Sequence, residues 1–278
     1  MIKPGAVRAY LLDIEGVLVR DKRYEPVPGA VQWLEGVEAQ GLPWRLVSNN
    51  TTFTPRELVD SLAAVGFPVT EQHLVGALDA GRRWLVQRQL RRILWLGHPR
   101  LADWWRAAGF VLDGEATVEA LVLGVNPRLA PDDLDRALAV ILDEGVPVVC
   151  LHRNGFWLDE RSQRRLGPGA WAAALEAASG HSGFTTIGKP AETIYHEALK
   201  SLGIPAGECL FISDDPVADL VTAGRLGMRT AFVLSGKYGD HGILSRLAQE
   251  EWPDMVCTCL ADIDSNEPGP TGDIDSRC

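Results

Sequence analysis

The residues with the clearest chemical potential stand directly after short apolar runs of the sequence. Asp13 follows the run 7–12, which is broken only by Arg8, and Glu15 and Gly16 come next. An aspartate at the end of a buried strand is costly unless a ligand or a reaction uses its charge. We therefore regard Asp13 as a candidate catalytic carboxylate, with a turn or helix-capping role as the alternative.

Two later apolar runs end in the same way. One is followed by Ser48 and Asn49 and the other by Asp214 and Asp215, while Lys189 precedes a helix of the same predicted core. Taken singly, the first pair could form a turn, the two aspartates could cap a helix, and the lysine could be solvated. If the strands are parallel, however, their carboxyl ends meet at one edge of the sheet, where ligands bind.

Carboxylates gathered at one edge repel one another in a partly buried site, and a divalent cation relieves that repulsion. The candidate ligands are hard oxygen atoms without histidine or cysteine, which favours Mg²⁺ over zinc. Ser48 and Lys189 add a hydroxyl group, backbone donors and a positive charge, which suit a phosphoryl group. An aspartate such as Asp13 can itself attack phosphorus and form an aspartyl-phosphate.

The elements that must position these residues alternate between strand and helix, which predicts a parallel sheet with helical crossovers. The first segment contains a predicted helix at 29–40, a strand at 44–47 and a helix at 54–66. From about residue 71 a second α/β set begins, with helices at 74–90, 101–108, 131–144 and 168–179 and strands at 92–96, 120–125 and 146–151. The first pattern then returns, with helices at 191–202 and 218–226 and strands at 208–213 and 230–234.

This order predicts an α/β fold in which a doubly wound parallel-sheet core is interrupted by an inserted domain. We place the core at residues 1–70 and 186–263 and the inserted α/β domain at 71–185. The polar segment 264–278 contains glycine and proline and is predicted to be a disordered tail.

Composition narrows the classes of function. The chain of 278 residues has a net charge of −10, which argues against a nucleic-acid surface, and it contains no apolar segment of membrane-spanning length. The start lacks a signal-peptide layout, and the cysteine count is odd. Cys257 and Cys259 form a lone pair without a second metal-binding pair, so zinc is not expected. We expect a cytoplasmic protein with reduced thiols.

Four sequence motifs, in this order, resemble those of the haloacid dehalogenase (HAD) superfamily: LLDIEGVL, LVSNN, GKP and FISDDPVADL. The inserted segment, with VLGVNP and LGPGAW, resembles the cap of the NagD-type, p-nitrophenylphosphatase-like branch, subfamily IIA. The stretch from LHRNGFWLD to GKYGD resembles the subgroup that contains the phospholysine phosphohistidine inorganic pyrophosphate phosphatase. The resemblance implies a Rossmann-like HAD core with a C2-type cap and a phosphoric monoester hydrolase activity.

The resemblance also implies roles for individual residues. Asp13 would be the nucleophile, and Glu15 would act as the acid/base at a position where the family usually has aspartate. Ser48 and Asn49 would bind the phosphoryl oxygens, and Lys189 would neutralise the phosphate and the nucleophile. Glu15 is one methylene longer than the usual residue, so its carboxyl group would sit about 1 Å or more away unless the turn adjusts.

The Mg²⁺ ligands implied by the resemblance are Asp13, the backbone carbonyl of Glu15, and Asp214, with Asp219 supporting the metal directly or through water. Ser213 stands where the family usually has glycine. In the inserted domain, Arg153 could bind a second anionic group of a substrate, or it could belong to a solvated hairpin.

The predicted function is therefore a Mg²⁺-dependent phosphatase for a small phosphorylated metabolite. Two alternatives remain open: a catalytically weak or inactive interaction protein, and a pyrophosphate or phosphoamide hydrolase. Dehalogenation is disfavoured, since that chemistry needs no metal and the chain retains Asp214 and Asp219. Caps of this type often pair, so a homodimer through the inserted domain is also left open.

Overall fold

The chain divides into two units in the computed structural model, which describes residues 7–20, 24–112, 117–159 and 163–263. The first unit lies within Met1–Ser48, Leu58–Val75 and Glu192–Cys278, and the second within Asn49–Glu57 and Gly76–Ala191. The segment 264–278, predicted to be a disordered tail, lies outside the described residues.

The strands, in chain order, are β1 Ala9–Leu12, β2 Val19–Arg20, β3 Glu25–Pro26, β4 Trp44–Ser48, β5 Leu74–Gly76, β6 Arg92–Leu96, β7 Val111–Leu112, β8 Ala120–Leu123, β9 Val148–Cys150, β10 Phe156–Leu158, β11 Arg164–Leu166, β12 Thr185–Thr186, β13 Cys209–Ser213, β14 Arg229–Val233 and β15 Met255–Cys257. The α-helices are α1 Ala30–Ala39, α2 Pro55–Ala64, α3 Ala77–Gln87, α4 Ala102–Ala107, α5 Pro131–Ala139, α6 Pro168–Ser179, α7 Glu192–Leu202 and α8 Val221–Arg225.

The first unit is built on a six-stranded sheet with the order β15-β14-β13-β1-β4-β5. Strand β1 pairs in parallel with β13 on one side and with β4 on the other, and all four of its residues are buried. Such continuous apolar runs are typical of parallel strands that helices cover on both faces. Leu12 is in register with Ile212 and with Leu46, so β1, β13 and β4 end at one edge of the sheet.

The second unit contains a five-stranded parallel sheet with the order β12-β9-β8-β6-β7 and an antiparallel hairpin of β10 and β11. Alternate residues of β6 face opposite sides of the sheet, as the pleat of a strand requires. Ile93 and Trp95 join a core cluster around Trp105, whereas Leu94 and Leu96 join a second cluster. Both faces of this sheet are therefore covered by apolar side chains.

The domain bounds placed by the sequence stay a prediction. In the structure the units divide after Val75 and after Ala191, and the segment Asn49–Glu57 joins the second unit. Strand β12 belongs to the second unit and pairs there with β9, with Thr186 in register with Cys150.

Several predicted helices are shorter than their sequence patterns. The pattern at 74–90 begins with strand β5, so α3 starts only at Ala77. The helix predicted at 131–144 ends as α5 at Ala139 and continues as a wider π-type turn over Val140–Glu144. A similar turn over Pro216–Leu220 precedes α8.

Among the described residues, no helix combines the length and the apolar character that crossing a bilayer requires.

Candidate active site

Three predicted site residues stand at adjacent strand ends of the first unit. Ser48 is the last residue of β4, Asp13 follows β1 directly, and Asp214 follows β13 directly. The backbone N–H of Asp13 donates to the carbonyl oxygen of Ile212 over 2.9 Å, which continues the ladder between the two strands. The N–H of Ile14 donates to Oδ1 of Asp13 over 2.8 Å and so orients this carboxylate.

The turn after Asp13 packs directly on Asp214. Gly16 has a φ of +83°, a left-handed conformation that favours glycine, and its N–H donates to the carbonyl oxygen of Val19 over 2.8 Å. A Cβ atom on Gly16 would lie 2.1 Å from Oδ2 of Asp214, so no larger residue fits without displacement. The hydroxyl of Ser235 donates to the carbonyl oxygen of Gly16 over 2.6 Å and fixes the turn.

A second glycine confines the same carboxylate from another side. A Cβ atom on Gly236 would lie 2.1 Å from Oδ2 of Asp214 and 2.5 Å from Cα of Gly16. The next residue, Lys237, donates its backbone N–H to Oδ2 of Asp214 over 2.6 Å, and its ammonium group pairs with Asp215 over 2.6 Å. We name Ser235, Gly236 and Lys237 the glycine strap. Sequence reasoning assigned no role to these residues; Gly236 and Lys237 appeared only within the GKYGD resemblance, and Ser235 did not appear.

Asp219 is a buried residue that forms hydrogen bonds with Ser213 and Tyr195. It is 3% exposed, and its Oδ2 accepts a hydrogen bond from the hydroxyl of Ser213 over 2.7 Å. The phenol of Tyr195 donates to the backbone carbonyl of Asp219 over 2.9 Å. Ser213, which stands in place of the usual glycine, therefore provides a hydrogen-bond donor to a buried carboxylate. This position suits an indirect role for Asp219, while its predicted direct contact with a metal stays a prediction.

Burial is the main cause that raises the pKa values of two tyrosines in the first unit, and carboxylate charges contribute further. Burial raises the pKa of Tyr195, and the charges of Asp219, Asp13 and Asp215 raise it further. Burial also raises the pKa of Tyr24, and the nearby carboxylate of Glu15 adds to this. Carboxylates thus concentrate where β1 and β13 end, in a unit whose sequence predicts a cation at this place.

The donor set fits Mg²⁺ better than a metal that needs an all-protein cage. Within the described ranges, no group of three or more His, Cys, Asp or Glu side chains could hold a metal ion. Mg²⁺, however, is commonly bound by one or two carboxylates together with water and substrate phosphate. Asp13 and Asp214 meet that requirement, and the two glycines leave room beside Asp214 for the close approach of backbone.

The second unit holds Lys189 through the side chain of Asn49. Lys189 is 2% exposed; its backbone N–H donates to Oδ1 of Asn49 over 2.8 Å, and Nδ2 of Asn49 donates to its carbonyl oxygen over 2.9 Å. The carboxamide of Asn49, predicted to bind phosphoryl oxygens, thus bonds to the peptide groups of the predicted catalytic lysine. Its direct contact with phosphate stays a prediction that these bonds do not support.

Arg153 also has protein partners in the second unit. Its guanidinium group forms two hydrogen bonds to Glu176, of 2.6 and 3.0 Å, and a third to the hydroxyl of Thr186. The bonds from Arg153 lower the pKa of Glu176, and those to Glu176 raise the pKa of Arg153. This bidentate pair ties α6 to the segment after β9, so the observed contacts favour a structural role, and substrate binding by Arg153 stays a prediction.

This chain is similar to known proteins in both sequence and structure. The profile of the haloacid dehalogenase-like hydrolases matches residues 10–111, and a HAD-hydrolase-like profile matches residues 186–263. Haloacid dehalogenase-like hydrolase domain-containing protein 2 of Bos taurus is 31% identical over 235 residues, which cover 84% of this chain and 86% of the relative.

Two further relatives carry phosphatase names. The phospholysine phosphohistidine inorganic pyrophosphate phosphatase of Mus musculus is 27% identical over 234 residues, 84% of each chain. The solved structure of p-nitrophenyl phosphatase from Archaeoglobus fulgidus superposes with a TM-score of 0.83 at 26% identity, covering 93% of this chain and 98% of that one.

Proposed function

The chain belongs to the haloacid dehalogenase-like hydrolases, and from that premise we propose that it is a Mg²⁺-dependent phosphatase acting on a small phosphomonoester. The reaction would pass through an aspartyl-phosphate on Asp13. One observation carries the proposal: Asp13 and Asp214 end adjacent parallel strands, and Gly16 and Gly236 enclose the second carboxylate. The carboxyl ends of adjacent parallel strands are where ligands bind in sheets of this kind.

In the first step, a carboxylate oxygen of Asp13 forms a bond to phosphorus, and the bond from phosphorus to the ester oxygen breaks. The leaving oxygen takes a proton from the carboxyl group of Glu15, which acts as the general acid. The bond from Ile14 N–H to Oδ1 of Asp13 holds the attacking carboxylate in one orientation. Attack by a fixed carboxylate avoids the entropy cost of a free nucleophile.

In the second step, Glu15 accepts a proton from water, and the water oxygen forms a bond to phosphorus. The bond between phosphorus and Asp13 breaks, which regenerates the aspartate carboxylate and releases inorganic phosphate. The turn that carries Glu15 is closed by hydrogen bonds from Leu18 and Val19 to the carbonyl of Ile14. This short turn fixes the backbone from which the longer glutamate side chain must reach.

The remaining residues bind the phosphoryl group. We assign the hydroxyl of Ser48 to a phosphoryl oxygen and the charge of Lys189 to the neutralisation of the phosphate. Asp13, Asp214 and the backbone carbonyl of Glu15 would hold Mg²⁺. When bound, the metal ion would neutralise charge on the phosphoryl oxygens.

The direct test is hydrolysis of p-nitrophenyl phosphate with and without Mg²⁺. We expect turnover that requires the metal and a loss of at least about 1,000-fold in Asp13→Asn, because this change removes the nucleophile. The matched control is Asp103→Asn, since the carboxylate of Asp103 is 95% exposed and pairs only with Arg106 among the ion pairs described. Robust turnover by Asp13→Asn would refute the proposed role.

A second substrate class rests on a relative. The 27% identity with a protein named for phospholysine, phosphohistidine and pyrophosphate makes phosphoamides and pyrophosphate alternatives to the phosphomonoester. A panel of sugar phosphates, nucleotides, pyridoxal phosphate, imidazole phosphate and pyrophosphate separates these classes by kcat/KM. Mg²⁺ binding without turnover of any of them would instead favour an inactive interaction protein.

A further inference from the structure

We propose that Asn49 is a positioning residue for Lys189. Its carboxamide forms hydrogen bonds to the peptide groups on both sides of the lysine Cα and so fixes the position of that Cα. The inference rests on the proposed function, in which Lys189 carries positive charge to the phosphoryl group. It gives Asn49 a role different from the phosphate contact that its place beside Ser48 predicts.

Both polar atoms of the Asn49 carboxamide end on Lys189. Oδ1 accepts from the lysine N–H over 2.8 Å, and Nδ2 donates to the lysine carbonyl over 2.9 Å. Both distances are those of well-formed hydrogen bonds. A lysine side chain has a flexible stem of four carbon atoms. The position of its ammonium group therefore depends on the position of the backbone from which the stem begins.

Gly188 makes this close grip possible. A Cβ atom on Gly188 would lie 2.3 Å from Oδ1 of Asn49 and 2.7 Å from the carbonyl oxygen of Leu151. The N–H of Gly188 also donates to that carbonyl over 2.8 Å, so the backbone has little freedom to retreat. The carboxamide of Asn49, the carbonyl of Leu151 and the Cβ of Ala77, 2.9 Å from the added Cβ, together require glycine before Lys189.

The segment that carries Asn49 is itself anchored in the second unit. Thr51 is fully buried, and its hydroxyl oxygen accepts the N–H of Val125 over 3.2 Å and lies 3.4 Å from Nε2 of His152. Farther along, Glu57 pairs with Arg100 over 2.7 Å. These contacts hold the segment that carries Asn49 in place, and a positioning residue requires such support.

The test combines hydrogen exchange with a double-mutant cycle on the full chain. In Asn49→Leu, the backbone N–H of Lys189 should exchange at least about 10-fold faster than in the wild type, because its acceptor is lost. The same variant should lose about 10- to 100-fold in kcat/KM for p-nitrophenyl phosphate. In a Lys189→Met background, Asn49→Leu should cost less than about threefold more, since the group it positions is absent.

Two further variants keep the proposal testable if Asn49→Leu does not fold. Asn49→Asp keeps an acceptor for the lysine N–H but sets a carboxylate oxygen against the lysine carbonyl, so it should lose activity while still unfolding in one cooperative transition, at a lowered melting temperature. Asn126→Asp is the matched control: it makes the same substitution elsewhere in the second unit, where Oδ1 accepts the N–H of Arg128 over 2.9 Å and aspartate retains this acceptor. Asn126→Asp should keep the exchange rate of the Lys189 amide.

The outcomes separate this inference from the proposed function. Absence of turnover in the wild-type protein would overturn the proposed function and the catalytic part of this inference with it. Wild-type turnover with fully additive losses in the cycle would overturn the inference alone and return Asn49 to a direct phosphate contact. An unchanged exchange rate of the Lys189 amide in Asn49→Leu would also overturn it, whatever the activity.

Discussion

Replacement of Gly236 by alanine tests whether the glycine strap holds the carboxylate of Asp214. The added Cβ would lie 2.1 Å from Oδ2 of Asp214 and 2.5 Å from Cα of Gly16. To reach ordinary contact at 3.4 Å, the carboxylate must recede by about 1.3 Å. Rotation of Asp214 cannot relieve the whole clash, because the second contact is with backbone.

A displacement of about 1 Å in a catalytic group typically costs about 100-fold in rate. We therefore expect Gly236→Ala to lower kcat/KM for p-nitrophenyl phosphate by about 100-fold and to raise the Mg²⁺ concentration needed for half-maximal rate by at least about 10-fold. The cost in stability should be about 1–3 kcal/mol, as for other overpacked sites. Calorimetric titration with Mg²⁺ gives the same comparison without turnover.

Gly239→Ala is the matched control for this prediction. It makes the same substitution three residues farther on, where a Cβ atom would meet nothing within 4 Å. It should leave turnover, Mg²⁺ dependence and melting temperature unchanged. If Gly236→Ala behaves like Gly239→Ala, within about threefold in kcat/KM and in Mg²⁺ midpoint, the placement of Asp214 does not depend on the strap and the reasoning is refuted.

Two further substitutions test single contacts, and one chemical modification tests the burial of a thiol. Ser213→Ala should lower the free energy of unfolding in urea by about 1–3 kcal/mol, because the buried carboxylate of Asp219 loses a donor; an unchanged midpoint would contradict the observed bond. The hydrogen bonds from Arg153 hold the pKa of Glu176 below its usual 4.5, so the pair adds stability that is complete above pH 4.5 and is lost as the pH falls through the lower folded pKa. Glu176→Gln should remove that part of the pH dependence of thermal unfolding, and an unaltered profile would speak against the pair. Burial raises the pKa of Cys150 to about 12, so iodoacetamide should leave this thiol unmodified in native protein at neutral pH but not in denatured protein, as mass spectrometry of its peptide would show.

The central strands of both units could be predicted from sequence because each is a short apolar run that helices cover. Strands β7 and β12 have two residues each and β15 has three, and they form by pairing with the edge of an existing strand. Segments this short have no detectable hydrophobic period, so only the neighbouring strand determines them. A hairpin was left open as the surrounding of Arg153, but its strands β10 and β11, of three residues each, were not located for the same reason.

Asp13, Ser48 and Asp214 could be identified from the sequence because each stands where an apolar strand ends. Parallel strands bring these ends to the same edge of the sheet. The glycine strap could not be found in this way. Gly236 acts by having no side chain, and its contact with Asp214 joins residues far apart in sequence. Glycine carries no local signal for such a contact.

Asn49 and Arg153 show a different limit of sequence reasoning. Each has a residue type that suits an anionic ligand, yet Asn49 bonds to the backbone of Lys189 and Arg153 pairs with Glu176. The partners lie 140 and 23 residues away. Residue type and strand position can identify a polar side chain near a site, but only the fold tells which partner satisfies it.

The phosphatase reaction that we propose requires Asp13 to carry the phosphoryl group during turnover. Borohydride added to the protein during steady-state hydrolysis of p-nitrophenyl phosphate would reduce an aspartyl-phosphate to homoserine, which peptide mass spectrometry can locate. We predict homoserine at position 13, dependent on substrate and Mg²⁺ and absent in Asp13→Asn. Continued turnover with unmodified aspartate at position 13, or homoserine at another aspartate, would contradict the account.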